Sequence, residues 1–250
     1  MSAILQVRGL FKSFGKLKVL NGVDIDFEEG KISAIVGQSG TGKSVLFKSM
    51  IGLMKPDAGT VRYRDLELTA MEGEKLFALR KHIGYAFQNA ALFDSMSVAE
   101  NIEFPLREVL GIRKKPELRR RVAEMLDWIG LPGIEDMRTD ELSGGMRKRI
   151  GVARVLVMKP DVLLFDEPTT GLDPVLAETI NNLVIRVNRE LGLTCLLITH
   201  DIPAAFRIAD RIAFLDQGKI VAEGEPAMVA ASEHELVRDF IRTSFGELKV

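Results

Sequence analysis

The 250-residue chain has a single cysteine, Cys195, so no disulfide can form within it. That thiol sits in Thr194-Cys195-Leu196-Leu197-Ile198, which reads as a buried strand, and a small apolar core residue is expected there rather than a nucleophile. No Cys/His grouping has the spacing of a zinc site. The longest apolar runs are strand-length, far from the roughly 20 residues that span a bilayer. Met1 to Leu10 is short and interrupted by Gln6 and Arg8, so no secretory leader is expected. Charge of one sign is missing too: 34 Lys+Arg against 35 Asp+Glu leave a net charge of -1. Such a balance supplies no global positive field to draw in nucleic acid. What is present is 46% hydrophobic residues, enough to bury a substantial core as one or two lobes.

Against this background three motifs stand out: GQSGTGKS at 37–44, LSGGMRKR from 142, and VLLFDEPTTGLDP from 162. Ile32-Ser33-Ala34-Ile35-Val36 reads as a buried strand, and Leu46, Phe47, Met50, Ile51 and Met54 recur at helical spacing after Lys43. Gly37, Gly40 and Gly42 therefore fall in the turn between strand and helix. Glycine lets the backbone approach an anion, and the helix N-terminus offers unpaired N–H donors and a favourable dipole. In a loop of this pattern Lys43 reaches the β- and γ-phosphates and the Ser44 hydroxyl sits on magnesium.

Val162-Leu163-Leu164-Phe165 reads as a central parallel strand with Asp166 and Glu167 at its C-terminal end. Ligands of open α/β sheets bind at that edge. One carboxylate can support magnesium while its neighbour orients a water for attack on a γ-phosphate.

The order of phosphate loop, Gln88, LSGG, LLFDEP, GLD and His200 resembles the ATP-binding cassette family from about Leu5 to Gly224. The resemblance implies an α/β nucleotide-binding domain with a mainly parallel core, an antiparallel β portion and a helical subdomain. It implies ATP and Mg2+ as ligands, with ATP contacts from Phe14, Gly37, Ser39, Gly40, Thr41, Gly42, Lys43, Ser44 and Val45. Phe14 falls where the family stacks an aromatic ring on adenine. Gln88 would sense magnesium and the γ-phosphate, alongside Ser44 and Asp166 as metal ligands, and His200 would contact the γ-phosphate. Glu167, His200 and Gln88 form the expected catalytic set. Ser143, Gly144 and Gly145 resemble the signature that caps the ATP of an opposite subunit, and Asp173 matches the loop linking the paired sites. Two copies would then meet head to tail.

Met146 departs from the glutamine of many relatives and loses a polar contact. With the stretch from Phe87 to Val98, Glu100-Asn101-Ile102 and Phe104 to Glu108, it is similar to the ATPases of MCE-type lipid-trafficking systems, including the Mla phospholipid system. That subgroup implies a separate integral-membrane permease and an MCE-domain lipid-binding protein as partners. It also implies a cytoplasmic location, peripheral on the inner membrane. An importer cassette for a polar solute such as an amino acid would share every ATP-handling residue. An ATP-driven nucleic-acid machine would bring a long coiled coil, zinc modules or two cassettes, none of which is visible. A regulatory module that has lost hydrolysis would not need Lys43, Asp166, Glu167 and His200 together.

One ATPase domain over 1–250 is expected, with a nucleotide-binding lobe from 1–88 and 155–226, a helical subdomain over 89–154 and a helical tail over 227–250. Leu118, Val122, Met125, Leu126 and Ile129 form an apolar helical stripe closed by Gly130 and Pro132. After the GLD motif, Asp173 can cap a helix with Pro174 in its first turn. Leu176, Ile180, Leu183, Val184, Val187 and Leu191 would share one side, and Gly192 would end it. A hairpin is expected around Asp216-Gln217-Gly218. The apolar positions 236, 237, 240 and 241 predict an amphipathic helix packed on the same chain. Arg113-Lys114-Lys115 and Arg119-Arg120-Arg121 read as a solvated helix face, with contact to anionic headgroups as the alternative.

Overall fold

Strands covered on both faces carry continuous apolar runs rather than alternating ones. In the computed structural model, which describes residues 2–245, this holds for Ile32–Val36 and Val162–Asp166, buried at all five positions of each. In chain order the strands are β1 (Ala3–Phe14), β2 (Leu17–Glu28), β3 (Ile32–Val36), β4 (Ala58–Tyr63), β5 (Leu66–Glu67), β6 (Ile83–Ala86), β7 (Val162–Asp166), β8 (Thr194–Thr199), β9 (Arg211–Asp216) and β10 (Lys219–Gly224). The helices are α1 (Lys43–Met50), α2 (Gly73–Arg80), α3 (Val98–Glu108), α4 (Lys115–Trp128), α5 (Gly144–Leu156), α6 (Pro174–Leu191), α7 (Ile202–Ile208), α8 (Pro226–Ala230) and α9 (Glu235–Phe245).

The main sheet has the order β10-β9-β3-β8-β7-β6. Its strands are parallel from β9 to β6, and β10 closes the edge as an antiparallel hairpin. The hairpin turn places Gln217 and Gly218 at φ 44° and 73°, the left-handed pair that a two-residue turn needs to match strand twist. A second sheet, β2-β1-β4-β5, is antiparallel throughout.

Because side chains alternate along a strand, the main sheet faces two cores. Ala34, Val36, Leu163, Phe165 and Leu197 point to the side shared with the helices, where Ile102, Leu106, Val122, Leu126, Ile150 and Val184 pack. Ile35, Leu164, Leu196 and Ile198 point to the antiparallel sheet and α1, against Leu5, Val7, Phe27 and Phe47. Cys195 belongs to the first core and is fully buried. Burial pushes its thiol pKa up.

On α4, Leu118, Val122 and Leu126 are buried, and Ile129 caps the helix C-terminus before Gly130 at φ 72°. Asp173 accepts hydrogen bonds from the backbone N–H of Val175 and Leu176, both at 3.0 Å, and Gly192 ends α6 in the left-handed region. One position departs from the expected stripe: Leu191, the last residue of α6, is 43% exposed. The turn into Gly192 lifts it off the core. Three of the six basic residues in the two runs of the helical region pair with neighbouring carboxylates. Arg113 pairs with Glu108, Arg120 with Glu124 and Arg121 with Glu117, at 2.6–3.0 Å. Helix α9 lays Val237 into the core and sets Phe240 edge-on to Phe214 of β9. The last tail positions, 246–250, lie outside the described residues.

Candidate nucleotide-binding site

The loop of residues 37–42 leaves β3 at its C-terminal end and enters α1. Two glycines there are imposed by space. A Cβ on Gly37 would stand 2.3 Å from the backbone oxygen of Leu215, and one on Gly42 2.9 Å from that of Val19. Gly42 also caps α1 at φ 101° with no side-chain hydrogen bond, so the first backbone N–H groups of the helix keep no side-chain partner. Lys43 folds back along the loop, its Nζ donating to the carbonyl oxygens of Gly37 and Gln38 at 2.8 Å each. Burial lowers its pKa, partly offset by the nearby Glu167 and Asp166 carboxylates.

Asp166 ends β7, almost wholly buried, and each of its oxygens accepts one hydroxyl. Ser44 Oγ donates to Oδ1 at 3.1 Å and the Tyr85 hydroxyl to Oδ2 at 2.6 Å. Burial, reinforced by this bond, holds the Tyr85 phenol well above its usual pKa. The next residue, Glu167, has φ 48°, the left-handed region that non-glycine residues seldom occupy. Its N–H donates to the Ile198 oxygen at 3.0 Å. Its Oε2 accepts from Thr170 Oγ1 at 2.7 Å and lies 2.5 Å from His200 Nδ1.

A cleft of about 630 Å³ joins Ser39, Gly40, Gly42, Lys43, Ser44 and Val45 to Gln88, Glu167, Thr170 and His200. The residues named from sequence for phosphate, metal and water thus converge from the ends of four strands, β3, β6, β7 and β8. Ser44 and Asp166 meet as a hydroxyl and a carboxylate with an ammonium beside them, a donor set that fits a magnesium-bound triphosphate. Phe14 ends β1 and is 49% exposed rather than in a core, with the Lys12 ammonium 5.7 Å from its ring centroid. It stands outside the residues lining the cleft.

Ser143, Gly144 and Gly145 are not brought to this cleft. Ser143 caps α5, its Oγ accepting from the Met146 N–H at 3.2 Å. Met146 packs against the helix-side core. Asp173 caps α6 on the same side as Gly145, which contacts Leu176. Besides the bond from Tyr85 to Asp166, two links at Thr170 escaped the sequence reading. Thr170 holds Glu167, and the Lys148 ammonium of α5 donates to the Thr170 oxygen at 2.8 Å. The doubled threonine of the TTG segment was the one available signal.

Next to Gln88 a second cleft of about 580 Å³ is lined by Phe77, Tyr85, Phe87, Phe93, Phe104 and Pro105, among others. Phe93 and Phe104 have ring centroids 4.7 Å apart. Arg154 lies over Phe93 and donates to the oxygens of Ala90 and Ala91 at 2.9 and 2.8 Å. Both alanines have positive φ, and Gly151 of α5 leaves room for Ala90, whose Cβ would be 2.8 Å from an added methyl. The buried Asn101 ties the loop before α3: Oδ1 accepts from the Phe93 N–H at 2.8 Å, and Nδ2 donates to the Ser97 oxygen at 2.9 Å.

The sequence profile of the ABC transporter family matches residues 20–170. The chain belongs to the ABC transporter family. Among curated relatives this cassette is 38% identical to the probable ribonucleotide transport ATP-binding protein mkl of Mycobacterium leprae. The match runs over 241 residues, 96% of this chain and 69% of the relative. It is 40% identical over 226 residues to the methionine import ATP-binding protein MetN of Geobacillus kaustophilus, covering 90% and 66%. Of solved structures, cbiO1 from Clostridium perfringens, part of the ABC transporter complex cbiONQ, superposes with TM-score 0.83 at 32% identity, covering 97% and 96%. A dimeric ATP-binding cassette in a post-hydrolysis state with ADP and Pi gives 0.81 at 30%, covering 89% and 98%. The ABC cassette is an ATPase that uses ATP with Mg2+, and cassettes of this kind dimerise and pair with membrane permease subunits. Among the described residues no helix is long and apolar enough to cross a membrane.

Proposed function

We propose that this cassette powers lipid trafficking between membranes, working with a separate permease and an MCE-domain protein from the cytoplasmic face of the inner membrane. The observation that carries this reading is the aromatic cleft beside Gln88. Phe87, Ala91, Phe93, Phe104 and Pro105 of its wall come from the stretch, Phe87 to Glu108, that carries the resemblance to the MCE-type ATPases. Concave apolar surface with aromatic anchors suits a helical segment of a membrane subunit.

In the cycle, Lys43 and the loop N–H groups hold the phosphates, with Phe14 against the adenine. Ser44, Gln88 and Asp166 would hold the magnesium, which would supply positive charge against the phosphates. Glu167 orients and polarises the attacking water, and His200 stabilises charge on the terminal phosphate. Ser143 to Gly145 of a second copy, docked head to tail, close the site, and the Asp173 loops link the two sites. Gln88 passes opening and closing to the permease through the cleft.

Purification of the native complex from gently solubilised membranes, with mass spectrometry of its proteins and bound lipids, tests the assignment. A permease together with an MCE-domain protein and enriched phospholipid is the expected result. A polar-solute permease would overturn the lipid reading and favour an importer of the methionine type, the second reading, which the MetN similarity supports.

A further inference from the structure

Tyr85 lines the aromatic cleft and also bonds Asp166, the carboxylate that meets Ser44 of the nucleotide cleft. It sits on β6, in register with Leu164 of the parallel neighbour β7, so Asp166 lies two residues further along the same face. From there its hydroxyl reaches Asp166 Oδ2 at 2.6 Å, opposite the oxygen that accepts from Ser44. The body of the ring faces the other way. It lines the aromatic cleft and packs 4.5 Å, centroid to centroid, from Phe87, the residue before Gln88. Edge-on contact with Phe47 of α1, at 6.4 Å, leaves the ring little freedom to turn on its own.

We propose that Tyr85 is a positioning residue that fixes the Asp166 carboxylate for the metal and moves that carboxylate when the cleft is filled. The transmitting half rests on reading the cleft as the docking site of the membrane subunit. The metal half does not. A donor on the far oxygen of a carboxylate ligand sets the direction of the near one, and loss of such outer partners weakens metal binding by about 10–100-fold. The hydrogen bond is charge-assisted and shielded from water, so a replacement by solvent would not restore it.

Tyr85→Phe keeps the ring and its packing and removes only the hydroxyl. The readout is the affinity of the purified full chain for the ATP analogue AMP-PNP by calorimetry, in Mg2+ and in EDTA. In the variant the gain in affinity on adding Mg2+ is expected to shrink by about tenfold, with the EDTA value unchanged. An equal gain in both proteins would overturn the metal role. In the assembled transporter the variant is expected to lose most of the stimulation of ATP hydrolysis by the membrane subunit. Full stimulation alongside a weakened Mg2+ effect would overturn the transmitting role. A Phe93→Cys chain that fails to crosslink to the membrane subunit would instead remove the docking reading, and the transmitting role with it, while the calorimetric result would stand.

Discussion

At the scale of single residues, the proposed hydrolysis rests on Glu167. Its Oε2 is shared by Thr170 and His200, so the carboxylate is aimed rather than free. Glu167→Gln keeps the shape and removes the charge that would accept a proton from water. Hydrolysis is expected to fall by about 10²–10⁴-fold, with ATP binding retained and a closed dimer accumulating on size-exclusion chromatography. Near-normal turnover would remove Glu167 from the role of base. Much of this site could be read from the sequence, because each motif is a contiguous run whose spacing is dictated by a strand end or a helix start. Lys43, Ser44, Asp166 and Glu167 are of that kind. Tyr85 is not: it meets Asp166 across 81 positions of chain, through the pairing of β6 with β7, and no local pattern reports a strand neighbour.

At the scale of elements, short polar ties hold the segments that periodicity leaves blank. The loop between β6 and α3 shows neither strand nor helix periodicity, and Asn101 ties it down from within α3. Asn101→Ala would leave the Phe93 N–H without its partner inside the protein, a loss of about 1–3 kcal/mol. It would also free the Phe93 wall of the aromatic cleft. Chemical denaturation should show the stability loss. Isolated ATPase activity should stay near normal, and stimulation by the membrane subunit should fall. An unchanged denaturation midpoint would mean that water replaces the amide. The helices themselves were legible, since their stripes and caps are local: Asp173 and Gly192 bound α6 where capping chemistry predicts. Leu191 was misplaced on the buried stripe because periodicity continues to the last residue while the backbone of the final turn does not.

At the scale of the whole molecule, the parallel sheet is sealed on both faces, and Cys195 on β8 reports on that seal. The thiol is fully buried, and burial raises its pKa above the ordinary value of 9.0. Its neutral form is therefore favoured in the folded state. The sign follows: an acid whose folded pKa is raised stabilises the fold little below the unfolded value. As pH climbs past about 9, the unfolded chain ionises first and stability is lost. At pH 8 a thiol reagent should label native protein only as fast as the sheet opens, and Mg-ATP should slow labelling further by mass action. Rapid labelling without denaturant would show that the core around β8 is not closed. The two-sheet arrangement itself was only partly visible in the chain. The family resemblance implied an antiparallel portion, but β1 and β2 pair with repeated register shifts that no alternation of residues announces.

The backbone of Glu167 carries a further consequence. A glutamate held at φ 48° costs on the order of 1 kcal/mol that glycine in its place would not. Backbone stability and the proposed hydrolysis therefore pull on this position in opposite directions. Glycine there would ease the backbone and forfeit the carboxylate that the proposed hydrolysis uses, whereas glutamine would forfeit the charge and keep the strain.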